Sequence, residues 1–87
     1  MDQITPGRIV LYKLSANDAD TINHRRAISH RGKGNVTRAG DVVPLIVVRV
    51  WPDGVNGQAI LDGDDAHWVT SARQGDAEGQ WAWPHRA

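Results

Sequence analysis

"GDVVPLIVVRVWPDGVNGQAILDG" (Gly40–Gly63) joins a long apolar run to two turn dipeptides. From Asp41 to Trp51 nearly every residue is apolar and several are β-branched, which predicts a strand covered on both faces. Pro44 cannot donate to a ladder, so it belongs near the start of that strand or at a bulge. Asp53-Gly54 and Asn56-Gly57 are hairpin sequences. The chain is therefore expected to turn over Pro52–Gly57 and to return along Gln58–Asp62.

On the N-terminal side, Arg8–Leu14 ("RIVLYKL") follows Pro6-Gly7 and reads as a first strand. Ser15 is a good N-cap with Asp18 three residues on, the capping-box spacing. A short helix is expected from about Ala16 to Ala27, with Ala16, Ala19, Ile22 and the stem of Arg26 on one thin apolar face. "SHRGKGNVTRAGD" (Ser29–Asp41) has three glycines and no periodicity, and is expected to be a mobile loop. On the C-terminal side, Gly63–Asp65 turns into a strand over Ala66–Ser71. "ARQGDAEG" reads as a loop, and Gln80–Pro84 as a last short strand with Trp81 and Trp83 on one face.

These elements predict a mainly β protein with one short helix, an α+β chain of one domain over residues 1–87. The architecture expected is a small SH3-like barrel or a strongly bent antiparallel sheet, with the helix and basic loop inserted after the first strand. At 87 residues without cysteine, the chain has no disulfide to staple it, so a homo-oligomer is expected to supply extra burial. No apolar run approaches the roughly 20 residues that span a bilayer, and "MDQITPGR" lacks the pattern of a signal peptide.

The charge is balanced overall but divided. Residues 1–40 carry seven Lys/Arg against three acids, and residues 41–87 carry three against seven. The acidic half makes extended duplex DNA an unlikely partner. Between Thr21 and Gly40 there is no acid at all. That stretch holds Arg25, Arg26, Arg31, Lys33 and Arg38, with His24 and His30 among them.

The order and spacing of "PGRIVLYKLS", "AGD..P.IVVRVW", "VNGQ..LDG.D..W.TS" and "G.W.WP" resemble a group of small accessory proteins encoded in tailed-bacteriophage genomes. The resemblance runs from Pro6 to Pro84. It implies a phage origin and a host-cytoplasm setting, and carries no enzyme chemistry with it. Several unrelated phage proteins of this size sequester cyclic-nucleotide or cyclic-ADP-ribose immune signals. By analogy, the expectation here is an anti-defence protein that binds a small nucleotide without turnover.

The candidate ligand site is built from cations and one ring. Arg25 and Arg26 offer planar, bidentate pairing with phosphate, and Asn23 and His24 offer polar contacts beside them. Arg31 and Lys33 lie in the glycine-rich loop, where they could close over a phosphate. Trp68 is the candidate for stacking on a base, with Thr70 on the same strand face. A plainer reading sets Arg25 and Arg26 at a helix C-terminus, where the dipole favours cations. In that case the chain would be an interaction or structural protein that binds a host or virion protein. No catalytic residue and no cofactor is assigned. The "DGDD" turn (Asp62–Asp65) lacks the ligand spacing of a calcium loop, and the four histidines lack zinc spacing, so no metal site is assigned. A small nucleotide phosphodiesterase, with Asp and His activating a water, ranks lowest.

Overall fold

The computed structural model describes residues 3–29 and 34–85. It is mainly β with one helix, and its five strands close into an SH3-like barrel in the order β1-β2-β3-β4-β5. The elements are β1 (Ile9–Lys13), α1 (Ala16–Ser29), β2 (Val42–Trp51), β3 (Gly54–Ile60), β4 (Ala66–Gln74) and β5 (Gln80–Ala82). The helix and the segment after it do lie between the first two strands, as the sequence predicts.

Alternation builds the core. Val10 and Tyr12 of β1, Leu45 and Val47 of β2, Val55 and Ala59 of β3, Val69 and Ala72 of β4 and Trp81 of β5 all point inward. Leu14, Ile22 and Leu61 join the same cluster at one end of the barrel. Ile22 is fully buried, which stabilises the fold by about 1.5–3 kcal/mol. The helix therefore plugs the barrel end where β1 and β3 finish and β2 and β4 begin. It does not lie along the outside of the wall. The capping box forms as expected: the Asp18 amide donates to Ser15 Oγ at 3.0 Å and the Ser15 amide donates to Asp18 Oδ2 at 2.9 Å. The helix runs to Ser29, two residues beyond the predicted end.

Three sequence expectations need correction. First, β2 is not covered on both faces. Leu45 and Val47 are buried, but Val42, Ile46 and Val48 on the outer face are exposed. Among the described residues the one helix packs at the barrel end, and none of them covers this face. Pro44 does sit near the strand start, opposite Leu11.

Second, the hairpin turns earlier and more tightly than expected. Trp51 pairs Gly54, so only Pro52 and Asp53 form the connection, and Asn56-Gly57 lies inside β3. Gly57 is needed there because a Cβ would press into the Ile46 carbonyl oxygen. Third, β4 continues through Gln74, with a register shift against β3 between Val55 and Gly57. Ser71 takes up the extra residue in the left-handed region, at φ 55°. Its amide donates to Asn56 Oδ1 at 2.8 Å, which holds the bulge in place.

The closing contact is β4 with β5, which run parallel over Arg73↔Gln80 and Gln74↔Trp81. Residues 75–79 can double back this tightly because Gly79 has φ 80° and its amide donates to the Lys13 carbonyl. Trp81 is buried and meets the edge of Trp83, with ring centroids 5.4 Å apart. Among the described residues, no helix is long and apolar enough to cross a membrane.

Candidate functional site

The cations of the helix converge, but on a carboxylate of their own chain. Arg26 Nε and Nη2 donate to Asp65 Oδ2 and Oδ1 at 2.9 and 2.8 Å, a bidentate fork. Its Nη1 donates to the Asn35 carbonyl at 2.6 Å. The side chains of Arg26 and Asp65 are only 9% and 20% exposed. Hydrogen bonding from Arg26, with its charge and that of Arg25, holds the Asp65 carboxyl below the usual carboxylate range against the opposing effect of burial. Asp65, Asp64 and Asp62 in turn hold the Arg26 guanidinium charged.

Asn23 is also committed. Its Nδ2 donates to the Thr37 carbonyl at 2.9 Å, while its Oδ1 accepts from the Thr37 amide and hydroxyl at 3.1 Å each. The Thr37 hydroxyl also reaches the Ala19 carbonyl. Asn35 ties the same segment to Asp62, by side chain and backbone. So the part of the predicted loop from Gly34 to Thr37 is bonded to the helix and to the turn before β4, and is not loose. The hydrogen-bonding groups of Asn23 and Arg26 are thus engaged within the chain. The hollow beside them, about 300 Å³ and lined by Asn23, Arg26, Ala27, Gly34 and Val36, offers a mostly apolar rim.

Arg25 differs. Its Nη2 donates to the Ala66 carbonyl at 3.0 Å and lies 3.4 Å from Asp65 Oδ2, yet the side chain stays 43% exposed. His24 is exposed on the helix. Arg31 and Lys33 lie outside the described residues, as does His30. Trp68 and Thr70 stand on the outer face of β4, as the strand periodicity predicts, and Trp68 is 46% exposed. Ala66, whose carbonyl holds Arg25, is on that same outer row. The structure thus brings Arg25 close to the Trp68 row and separates it in role from Asn23 and Arg26.

Sequence reasoning missed a second polar network. Tyr12 Oη donates to Asp18 Oδ2 at 2.5 Å and His67 Nε2 contacts Asp18 Oδ1 at 2.9 Å. Burial favours the neutral form of Asp18. Hydrogen bonds from Tyr12, Ser15 and His67 outweigh it and keep the carboxyl below its ordinary value. Burial and the bond to Asp18 push the Tyr12 hydroxyl well above its ordinary value. The signal available was Asp18 in a capping box, but its partners lie 6 and 49 residues away in sequence.

The outer wall is the remaining feature. On β1, β2 and β3 it presents Ile9, Val42, Ile46, Val48 and Ile60 to solvent. Ile9 pairs directly with Ile46, and Ile46 with Gln58. Charged groups flank this wall. The Lys13 ammonium is tied to the Asp76 carbonyl, and the Arg49 guanidinium lies 4.3 Å from the Trp51 ring centroid. Two other hollows are present: one of about 220 Å³ lined by Leu11, Lys13, Val42, Ala82, Trp83 and His85, beside the wall, and one of about 300 Å³ lined by Trp51, Pro52 and Arg73 among others. Among the described residues, no group of three or more His, Cys, Asp or Glu side chains could hold a metal ion.

No family model, no curated protein and no solved structure matches the chain.

Proposed function

We propose that this chain is a non-catalytic binding module that engages a protein partner through the uncharged outer wall of β1, β2 and β3. The observation that carries this reading is the wall itself. Ile9 is 58% exposed and Val48 51% exposed, on a face where a small antiparallel barrel ordinarily carries polar residues. Contiguous apolar surface of this kind marks interaction sites. The tailed-phage resemblance sets this contact in the host cytoplasm, where the partner is a host protein, a virion protein or a second copy of the chain.

The test is differential capture. Immobilised wild-type chain, Ile46→Lys and Ile28→Lys would be exposed to infected-cell lysate, with retained proteins identified by mass spectrometry. Ile28 is 66% exposed on the helix, away from the wall. A protein kept by wild type and Ile28→Lys but lost by Ile46→Lys supports the reading. Identical profiles for all three refute it.

One observation favours a second reading, binding of a small anionic nucleotide. Arg25 keeps a part-exposed guanidinium on the Ala66 carbonyl, two residues before exposed Trp68 on β4, and a cation and a ring on one strand suit a phosphate and a base. Calorimetric titration with cyclic di- and trinucleotides and cyclic ADP-ribose isomers tests it. Retention that disappears in Arg25→Ala and Trp68→Ala supports it. Heat from none of the panel removes it, and turnover would reassign the chain to the phosphodiesterase class.

A further inference from the structure

We infer that the occupant of the β1–β3 wall is a second copy of this chain, packed about a two-fold axis in a face-to-face dimer. This rests on the wall being the working surface. Two such walls pack face to face about 10 Å apart, as packed sheets do.

The area fits. At their observed exposures, Ile9, Val42, Ile46, Val48 and Ile60 offer roughly 450 Å² of surface, against about 800 Å² per partner in a standard interface. That is the apolar centre of such an interface, and Gln58, Lys13 and Arg49 supply the polar rim. The charges fit as well. The two copies carry no net charge and so do not repel. Asp41, whose Oδ2 also accepts from the Arg38 amide at 2.9 Å, precedes β2, and Arg49, over the Trp51 ring, lies towards its end. A two-fold axis near Leu45 lays β2 antiparallel on its copy and brings Arg49 of each over Asp41 of the other. An isologous contact of this kind satisfies both ends at once. Burial of the wall also supplies what a short chain without disulfides lacks.

Sedimentation velocity of the full chain tests this. Wild type is expected to dimerise with a dissociation constant in the range of about 1–100 μM. Ile46→Lys and Val48→Lys are expected to weaken it at least ~100-fold, while Ile28→Lys leaves it unchanged. Arg49→Asp should weaken association, and Asp41→Arg in the same chain should restore it. Ile46 and Val48 are on the solvent side, so near-ultraviolet dichroism of Trp81 should stay native in both variants. A wild type that remains monomeric at about 1 mM overturns the inference. So does a dimer that survives both lysine variants. A monomer that still captures a partner through Ile46 would sink self-association and leave the proposed function standing.

Discussion

Replacing Asp65 by alanine should destabilise the fold by about 2–3 kcal/mol. The figure follows from the surroundings of Arg26. Breaking a fully buried ion pair costs about 3–5 kcal/mol because one charge is stranded, whereas an exposed pair contributes about 0–1. Arg26 is 9% exposed and Asp65 20%, so the pair lies towards the buried limit. The Asn35 carbonyl at 2.6 Å keeps part of the guanidinium satisfied, which brings the cost below that limit. For a domain of this size, each kcal/mol moves Tm by about 4–8 °C, so Asp65→Ala should melt roughly 10–20 °C lower.

Urea and thermal unfolding, followed by the fluorescence of buried Trp81, would measure this. The double-mutant cycle with Arg26→Ala should give a coupling energy of about 1.5 kcal/mol or more. The pH dependence has a defined sign. The folded carboxyl of Asp65 titrates below its unfolded value, so its contribution is complete above about pH 4 and is lost as the pH falls through the folded value. Wild type should therefore lose more stability than Asp65→Ala on acidification from pH 5 to pH 2. A loss under about 0.5 kcal/mol, or additivity in the cycle, would refute the account of Arg26 as a fastener. If Arg26 instead served an anion, Asp65→Ala would free it, and nucleotide affinity would rise.

Asp18→Ala removes a cap and strands Tyr12 and His67, so a loss of about 3 kcal/mol is expected from denaturant curves; Asp18→Asn, which keeps an acceptor, should lose less. Gly57→Ala should cost about 2–3 kcal/mol, read from the urea midpoint, because its methyl would press into the Ile46 carbonyl and against the Leu45 side chain. Ser71→Val should cost about 1–2 kcal/mol for a β-branched residue forced to positive φ, and Ser71→Gly should stay within about 0.5 kcal/mol of wild type. Acrylamide should quench Trp68 and Trp51 and spare Trp81, and Trp68→Phe should remove one quenchable component and leave that of Trp51.

Local chemistry made much of the fold legible. The capping box at Ser15 and Asp18, the Pro-punctuated first strand, and the outward row of Trp68 and Thr70 follow from spacing within a few residues. What failed depended on packing. Asn56-Gly57 carries a hairpin signature, but the turn went to Pro52-Asp53 because the register set Gly57 under a neighbouring carbonyl. The apolar run of β2 predicted two covered faces, since sequence reports hydrophobicity and not how many elements are available to cover it. Among the described residues the one helix sits at the barrel end, and the outer face is left bare.

The division of charge between the two halves was plain in the sequence, and so was the acid-free stretch around Arg25 and Arg26. Which anion those cations meet was not, because Asp65 lies 39 residues from Arg26 along the chain and comes to it only when β4 begins beneath the helix. Charge and periodicity are properties of neighbours in sequence. The pairing of Arg26 with Asp65, the joining of Tyr12, Asp18 and His67, and the bare wall around Ile46 are products of barrel closure, which brings distant segments together and decides what remains uncovered.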